Sequence, residues 1–249
     1  MNIISSSYGN DSIALIQHAK NLGLEDVHVT FCDTGWAAPD WMEIVAEAEE
    51  WVDEIGFTHH RIESIGMEEL VRIKQGFPSN QYQFCTAMLK GIPFLEWCDE
   101  HDPDCEATVL VGKRRAESKA RAETPEYIAS SEYHGFRKLW HPLYQHTDEQ
   151  RNELLDQAGF DILPHRSQEC SPCVNANRAD FKLMTTSQIE RVNNLEVEMG
   201  RTMFRPKRFG AMGIHGVIAW AYHGRKRMEL DPDETVAGSG CDGHYGCGL

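Results

Sequence analysis

Five short runs rich in apolar and β-branched residues punctuate the first 143 positions: N-I-I-S-S from Asn2, V-H-V-T-F from Val27, H-H-R-I-E-S-I from His59, A-T-V-L-V-G from Ala107 and F-R-K-L-W-H-P-L from Phe136. Between them lie segments with helical spacing: one after Ser12, one from about Pro39 to Ile55, one over Met67 to Lys74 and one through Cys85 to Cys98. Strands that alternate with helices commit a chain to βαβ crossovers, and hence to a mainly parallel sheet covered on both faces. The expected fold is α/β, a Rossmann-like doubly wound sheet. Beyond about Asp180 the strand signals fade and the sequence becomes helical, ending in the glycine-rich G-S-G-C-D-G-H-Y-G-C-G-L. That ending has no apolar periodicity and forms neither a regular helix nor a strand; it is a tail, a lid or a ligand loop. The division expected is residues 1–183 as a ligand-binding domain and 184–249 as a helical extension with a cysteine-containing, glycine-rich tail.

Ligands of such sheets bind beyond the carboxyl ends of the strands, which directs attention to three loops. In S-S-S-Y-G-N-D-S, a strand breaks into a polar loop that runs into a helix N-terminus. Backbone N–H groups and the positive end of the helix dipole meet there, Gly9 permits close backbone approach, and Ser5, Ser6, Ser7 and Ser12 offer hydroxyls beside Asn10 and Asp11. The plainer alternative is a serine N-cap after a first strand. The lysine of G-x-x-x-x-G-K-[ST] and the second half of G-x-G-x-x-G are both missing. The second loop, C-D-T-G-W, places Asp33 ahead of Gly35, where a carboxylate accepts from a ribose hydroxyl, holds magnesium or simply caps a turn. The third, G-K-R-R-A-E-S-K-A-R-A, carries Gly112, Lys113, Arg114, Arg115, Ser118 and Arg121. Its arginines supply forks for phosphate or sulfate oxygens; the alternative is a solvated basic face.

The formal net charge of -15 argues against indiscriminate adhesion to nucleic acid. Residues 200–228 nevertheless contain no Asp or Glu and seven Lys or Arg, a patch through which nucleic acid could be engaged. No run of 18 apolar residues and no signal-peptide pattern is visible, so a cytoplasmic protein without a membrane partner is expected. There are eight cysteines. Cys170 and Cys173 form a C-x-x-C that puts two thiolates on one metal or cluster, Cys85 is the strongest candidate third ligand, and Cys241 or Cys247 could complete the set. Alternatively the tail cysteines are a redox pair or a mobile nucleophile. Cys32, Cys98 and Cys105 lie in or beside apolar segments and read as small core or surface residues.

The ordered set S-S-S-Y-G-N-D-S, F-C-D-T-G-W-A-A-P-D, G-K-R-R-A-E-S-K-A-R-A and H-P-L-Y-Q-H-T-D-E-Q, with Cys85, Cys170 and Cys173, resembles the phosphoadenosine phosphosulfate (PAPS) reductase family, a branch of the ATP-pyrophosphatase superfamily. The resemblance spans roughly residues 3 to 183. It implies an adenine nucleotide-binding domain, a [4Fe-4S] cluster on the three cysteines, and adenylyl sulfate, PAPS or ATP as the nucleotide, with Mg2+ if ATP is the substrate. Three departures matter. Phe84 and Cys85 stand where related adenylyl-sulfate reductases carry adjacent cysteines. Asn10 replaces the lysine of the ATP-cleaving loop, whereas Asp11 and Ser12 are kept. The terminal Y-G-C-G-L keeps only the C-G-L of the reductase nucleophile motif, making Cys247 the candidate catalytic thiol and Cys241 a candidate ligand. The first expectation is reduction of a sulfonucleotide to sulfite with an external thiol reductant such as thioredoxin. Its rivals are ATP-dependent sulfur transfer to a nucleic acid or nucleoside, and a nucleotide-binding partner protein without catalysis; a homo-oligomer is compatible with each.

Overall fold

The computed structural model describes residues 1–204 and 213–223. Six strands form one sheet: β1 (Asn2–Ser6), β2 (Val27–Asp33), β3 (Thr58–Glu63), β4 (Thr108–Val111), β5 (Tyr127–Ser131) and β6 (Arg137–Trp140). Their spatial order is β3-β2-β1-β4-β6-β5; all neighbouring pairs are parallel except β5 with β6. This is the mainly parallel α/β sheet expected from the alternation. The ten described helices are α1 (Asn10–Asn21), α2 (Trp41–Glu54), α3 (Met67–Lys74), α4 (Phe84–Thr86), α5 (Ile92–His101), α6 (Lys119–Ala122), α7 (Asp148–Ala158), α8 (Arg178–Leu183), α9 (Thr186–Met199) and α10 (Gly213–His223). A π turn, Ala87–Gly91, links α4 to α5.

The side-chain alternation of each inner strand feeds two cores. Ile4, Val27, Val29, Phe31 and Leu110 point to one face and pack with Ile13 and Ile16 of α1, Trp41 and Val45 of α2, and Leu154 and Leu155 of α7. Ile3, Cys32, Val109 and Val111 point to the other face, against Phe94 and Cys98 of α5. Burial on both faces explains why these strands read as nearly continuous apolar runs. Cys32 and Cys98 are thus core residues. A third cluster surrounds Trp36 and joins α3 to Phe181, Val192, Leu195, Ile214 and Trp220 of α8, α9 and α10.

Two local features depart from the sequence expectation. Helix α1 begins at Asn10 rather than after Ser12, with Gly9 as N-cap and no side-chain cap. Ser12 does not act as a cap; its Oγ accepts from the Ser7 N–H at 3.1 Å, tying the loop across itself. Strand β5 was not anticipated, because Y-I-A-S-S is mostly exposed and lacks an apolar face. It is an antiparallel edge held by β6 alone. At the end of α7's approach, Thr147 and Gln150 form the reciprocal cap that H-T-D-E-Q signals.

Candidate nucleotide site at the carboxyl edge of the sheet

From β1 the chain order runs outward in both directions, through β2 to β3 on one side and from β4 on the other. The crevice between the carboxyl ends of β1 and β4 is therefore the topological switch point, where open α/β sheets bind ligands. A cavity of about 660 Å³ lies against this edge. Its wall includes Ser7, Gly9, Asn10, Asp11 and Ser12 from the first loop and helix α1. The opposite strand contributes Gly112, which must be glycine: a Cβ there would stand 2.8 Å from the Asp11 carbonyl oxygen. Close approach of two loops, rather than a special dihedral, sets that requirement.

The first loop is tightly organised. The Ser7 and Ser12 hydroxyls lie 3.2 Å apart, and the Ser6 hydroxyl accepts from the Tyr8 N–H at 3.0 Å. Tyr8 is fully buried against Phe31 with φ at 54°, a conformation that costs a non-glycine residue about 1–3 kcal/mol. Burial raises its phenol pKa far above the usual value. Asn10 does not face a phosphate position with its amide; it donates to the Leu163 carbonyl at 2.9 Å and accepts from the Leu163 N–H at 3.0 Å. That pairing brings Leu163, Pro164, His165, Arg166 and Ser167 onto the cavity wall.

The arginine loop divides. Arg121 reaches the cavity wall, bonded to Glu117, with its N–H held by the Ser118 hydroxyl at 3.1 Å. Arg114 is 4% exposed and turned inward, its Nε 2.6 Å from Asp11 and its Nη1 2.8 Å from Asp148. It braces the loop carboxylate and the start of α7 instead of lining the cavity. Arg115 lies over the Tyr144 ring and 3.3 Å from Gln145, away from the wall. Lys113, Ser5, Ser6, Asp33 and Gly35 are likewise not on the wall; Asp33 accepts from the Gly35 N–H at 2.8 Å, the turn role weighed from sequence.

Cys85, Cys170 and Cys173, separated by up to 88 positions, open onto the same cavity. Burial pushes the Cys85 thiol up to about 11, with Cys173 adding to the rise, and burial raises Cys170 as well. Lys90 opposes both shifts. The donor set is all sulfur, which suits iron–sulfur chemistry better than a hard ion. Among the described residues, however, no three Cys, His, Asp or Glu side chains already close on a single metal position. Cys241 and Cys247 lie outside the described residues, as do the basic residues Arg205, Lys207, Arg208, Arg225, Lys226 and Arg227.

Several wall residues carried no strong sequence signal. Lys90 and Glu169 form a buried ion pair at 2.6 Å beside the cysteines. Arg151 and Arg166 add cationic groups; Arg166 donates to the Asn175 carbonyl at 2.7 Å and contacts Asp180 at 2.8 Å. The position of Lys90 in Q-F-C-T-A-M-L-K, and of Arg166 and Glu169 in H-R-S-Q-E-C, next to candidate ligand cysteines, was the signal that could have found them.

A switch-point cavity with an uncapped helix N-terminus and several arginines defines the class, an α/β protein with an anion-receiving edge. The profile of the phosphoadenosine phosphosulfate reductase domain matches residues 1–172, and the chain belongs to that family. Among solved structures it is similar to the phosphoadenylyl-sulfate (PAPS) reductase from Candida auris in its phosphate complex, at 17% identity and a TM-score of 0.47, over 65% of this chain and 75% of that one. No curated protein sequence matches the chain. Among the described residues no helix is long and apolar enough to cross a membrane.

Proposed function

We propose that the chain binds an adenine sulfonucleotide, adenylyl sulfate or PAPS, in the switch-point cavity and reduces it to sulfite through Cys247. The observation that carries this reading is the opening of the first loop, Gly112, Arg121 and three cysteines into one space of about 660 Å³. That volume lies in the range of small-ligand pockets, and the family membership supports the substrate class. Arg121, Arg151, Arg166 and the backbone amides at the start of α1 would neutralise the phosphosulfate. The Cys247 thiolate would then attack the sulfur, breaking the bond from sulfur to the bridging phosphate oxygen. The adenosine phosphate leaves with the bond's electron pair, and the sulfonate remains on the thiol. An external dithiol, of the thioredoxin kind, would attack Cys247 Sγ and expel sulfite; its second thiol would resolve the mixed disulfide. Two electrons pass from the dithiol to the sulfonate sulfur.

Cys85, Cys170 and Cys173 would hold a [4Fe-4S] cluster, with a fourth ligand from Cys241 or from outside the chain's cysteines. Their all-sulfur donor set on a shared cavity wall is what supports a cluster there. The cluster would supply a fixed electrostatic element beside the anion. Lys90, already placed among these thiols, would balance its charge.

A second reading, ATP-dependent sulfur transfer to a nucleic acid or nucleoside, is favoured by one feature: Asp11 and Ser12 both line the cavity, where a carboxylate could help position Mg2+ with a polyphosphate. Incubating the protein separately with adenylyl sulfate, PAPS and ATP in the presence of a dithiol tests both. Sulfite from a sulfonucleotide supports the first reading. Pyrophosphate from ATP without sulfite would overturn it in favour of the second, and no product from any of the three would leave a binding protein.

A further inference from the structure

Between the end of α7 at Ala158 and the start of α8 at Arg178 the chain forms neither helix nor strand. Among the described residues no backbone–backbone hydrogen bond ties positions 161–165 of this span to another element. A side chain ties them instead. The Asn10 amide donates to the Leu163 carbonyl at 2.9 Å and accepts from the Leu163 N–H at 3.0 Å. It thus satisfies both backbone groups of one residue, as the directly opposite residue of an antiparallel strand does. Asn10 is the first residue of α1 and stands 153 positions before Leu163. Beside it Gly9 lets the span come close, since a Cβ there would stand 3.1 Å from the Ser167 Cβ. Arg166 follows on the same span and lines the cavity, its fork anchored by the Asn175 carbonyl at 2.7 Å and the Asp180 carboxylate at 2.8 Å.

Two elements of the cavity can receive an anion from different directions: the amino-terminal N–H groups of α1 and the Arg166 fork. Asn10 belongs to the first and holds the span that carries the second. We propose that Asn10 is a positioning residue, fixing Arg166 at the spacing from the α1 N-terminus at which both meet one phosphosulfate group; this rests on the sulfonucleotide reading of the cavity. Asn10 itself does not touch the ligand, because its amide oxygen and nitrogen are both spent on Leu163. The residue type suits the task. A primary amide carries a donor and an acceptor side by side, whereas a carboxylate would set an oxygen against the Leu163 carbonyl and an ammonium has no acceptor. Without the amide, Arg166 keeps its contacts to Asn175 and Asp180 on the side of α8, but its backbone loses the tie that registers it against α1. A displacement of about 1 Å in a positioned site can cost about 10²-fold.

The test has two arms. Amide hydrogen exchange of the unliganded protein reads the clamp: the Leu163 N–H is expected to exchange faster in Asn10→Ala than in the wild type, while the amides of β1 and β2 keep their protection. Asn10→Asp, which keeps the acceptor and loses the donor, is expected to fall between the two. Calorimetry with adenylyl sulfate reads the positioning through a double-mutant cycle. Asn10→Ala is expected to weaken binding about 10-fold and Arg166→Ala about 10- to 100-fold, the range of a charge-assisted hydrogen bond. Asn10→Ala/Arg166→Ala is expected to bind within about 3-fold of Arg166→Ala, because the amide acts only through that arginine. A merely structural role would give losses that add, and additive losses would overturn the proposal. So would wild-type exchange at Leu163 in folded Asn10→Ala. If the wild type binds no sulfonucleotide, the substrate reading fails, and the same cycle with inorganic sulfate decides the positioning by the same criterion.

Discussion

Replacing Lys90 by methionine probes the interior of the site without touching its phosphate loop. Lys90 comes from the π turn between α4 and α5, Glu169 immediately precedes Cys170, and their charged atoms lie 2.6 Å apart with side chains 6% and 5% exposed. Methionine fills similar volume but leaves the Glu169 carboxylate buried without its ammonium partner. Removing one member of a buried pair costs about 3–5 kcal/mol, most of it the stranded charge rather than lost attraction. Glu169→Leu removes the buried carboxylate that balances the lysine and is expected to cost a similar amount. The double variant Lys90→Met/Glu169→Leu removes both charges, and apolar replacement of a buried pair is often neutral. It is therefore predicted to be more stable than either single variant, giving a coupling energy of at least about 2 kcal/mol. Urea unfolding of the reduced protein, followed by circular dichroism, reads this as a lower midpoint at unchanged slope for the single variants, with recovery in the double. Single-variant losses below about 1 kcal/mol with an additive double would refute the reasoning, because they would mean that water reaches the pair. In Lys90→Met, Cys85 and Cys170 lose the cation that lowers their pKa, so alkylation of both thiols in the cluster-free protein should slow in that variant.

Further predictions concern the loop, the arginines and acid stability. Gly112→Ala drives a Cβ into the Asp11 carbonyl at 2.8 Å and is expected to cost about 1–3 kcal/mol and to weaken nucleotide binding, measured by thermal unfolding and calorimetry. Arg121→Ala should weaken sulfonucleotide binding by about 1.5–3 kcal/mol, whereas Arg115→Ala, whose side chain lies over Tyr144, should leave affinity nearly unchanged. Equal losses in the two variants would return Arg115 to the ligand. His134 and His141 are both buried and held down to about 4 chiefly by desolvation. The unfolded chain binds protons there that the native state refuses, so their contribution is complete above about pH 6.5. It is lost as pH falls from there through about 4, to the extent of about 2–3 kcal/mol each. A clearly shallower fall over that window in His134→Phe/His141→Phe than in the wild type checks the assignment, the remaining slope coming from His60, His18 and His146, whose pKa values burial also lowers.

The parallel sheet was legible because β1, β2 and β4 are buried on both faces, and that leaves apolar runs no surface strand would carry. The switch point followed from it. Strand β5 was not legible, since its side chains meet solvent and its pairing is fixed by β6 alone. Local composition also located the arginine loop but not the aim of each fork. Arg114 is claimed by Asp11, 103 positions earlier, and Asp148, 34 positions later, while Arg121 stays at the wall. Such choices depend on which carboxylates the fold brings near, and no periodicity records them. The Lys90–Glu169 pair, 79 positions apart, was hidden for the same reason. The three cysteines were visible by their chemistry, and all three line the one cavity.

Mass spectrometry of the protein after incubation with adenylyl sulfate or PAPS, without reductant, tests the central claim most directly. The account predicts an S-sulfo-cysteine on the peptide containing Cys247, discharged as sulfite when a dithiol is added and lost in Cys247→Ser. That variant should keep its iron content and its nucleotide affinity. A wild-type protein that binds the sulfonucleotide yet carries no sulfonate on Cys247 would contradict the account, as would full sulfite release by Cys247→Ser.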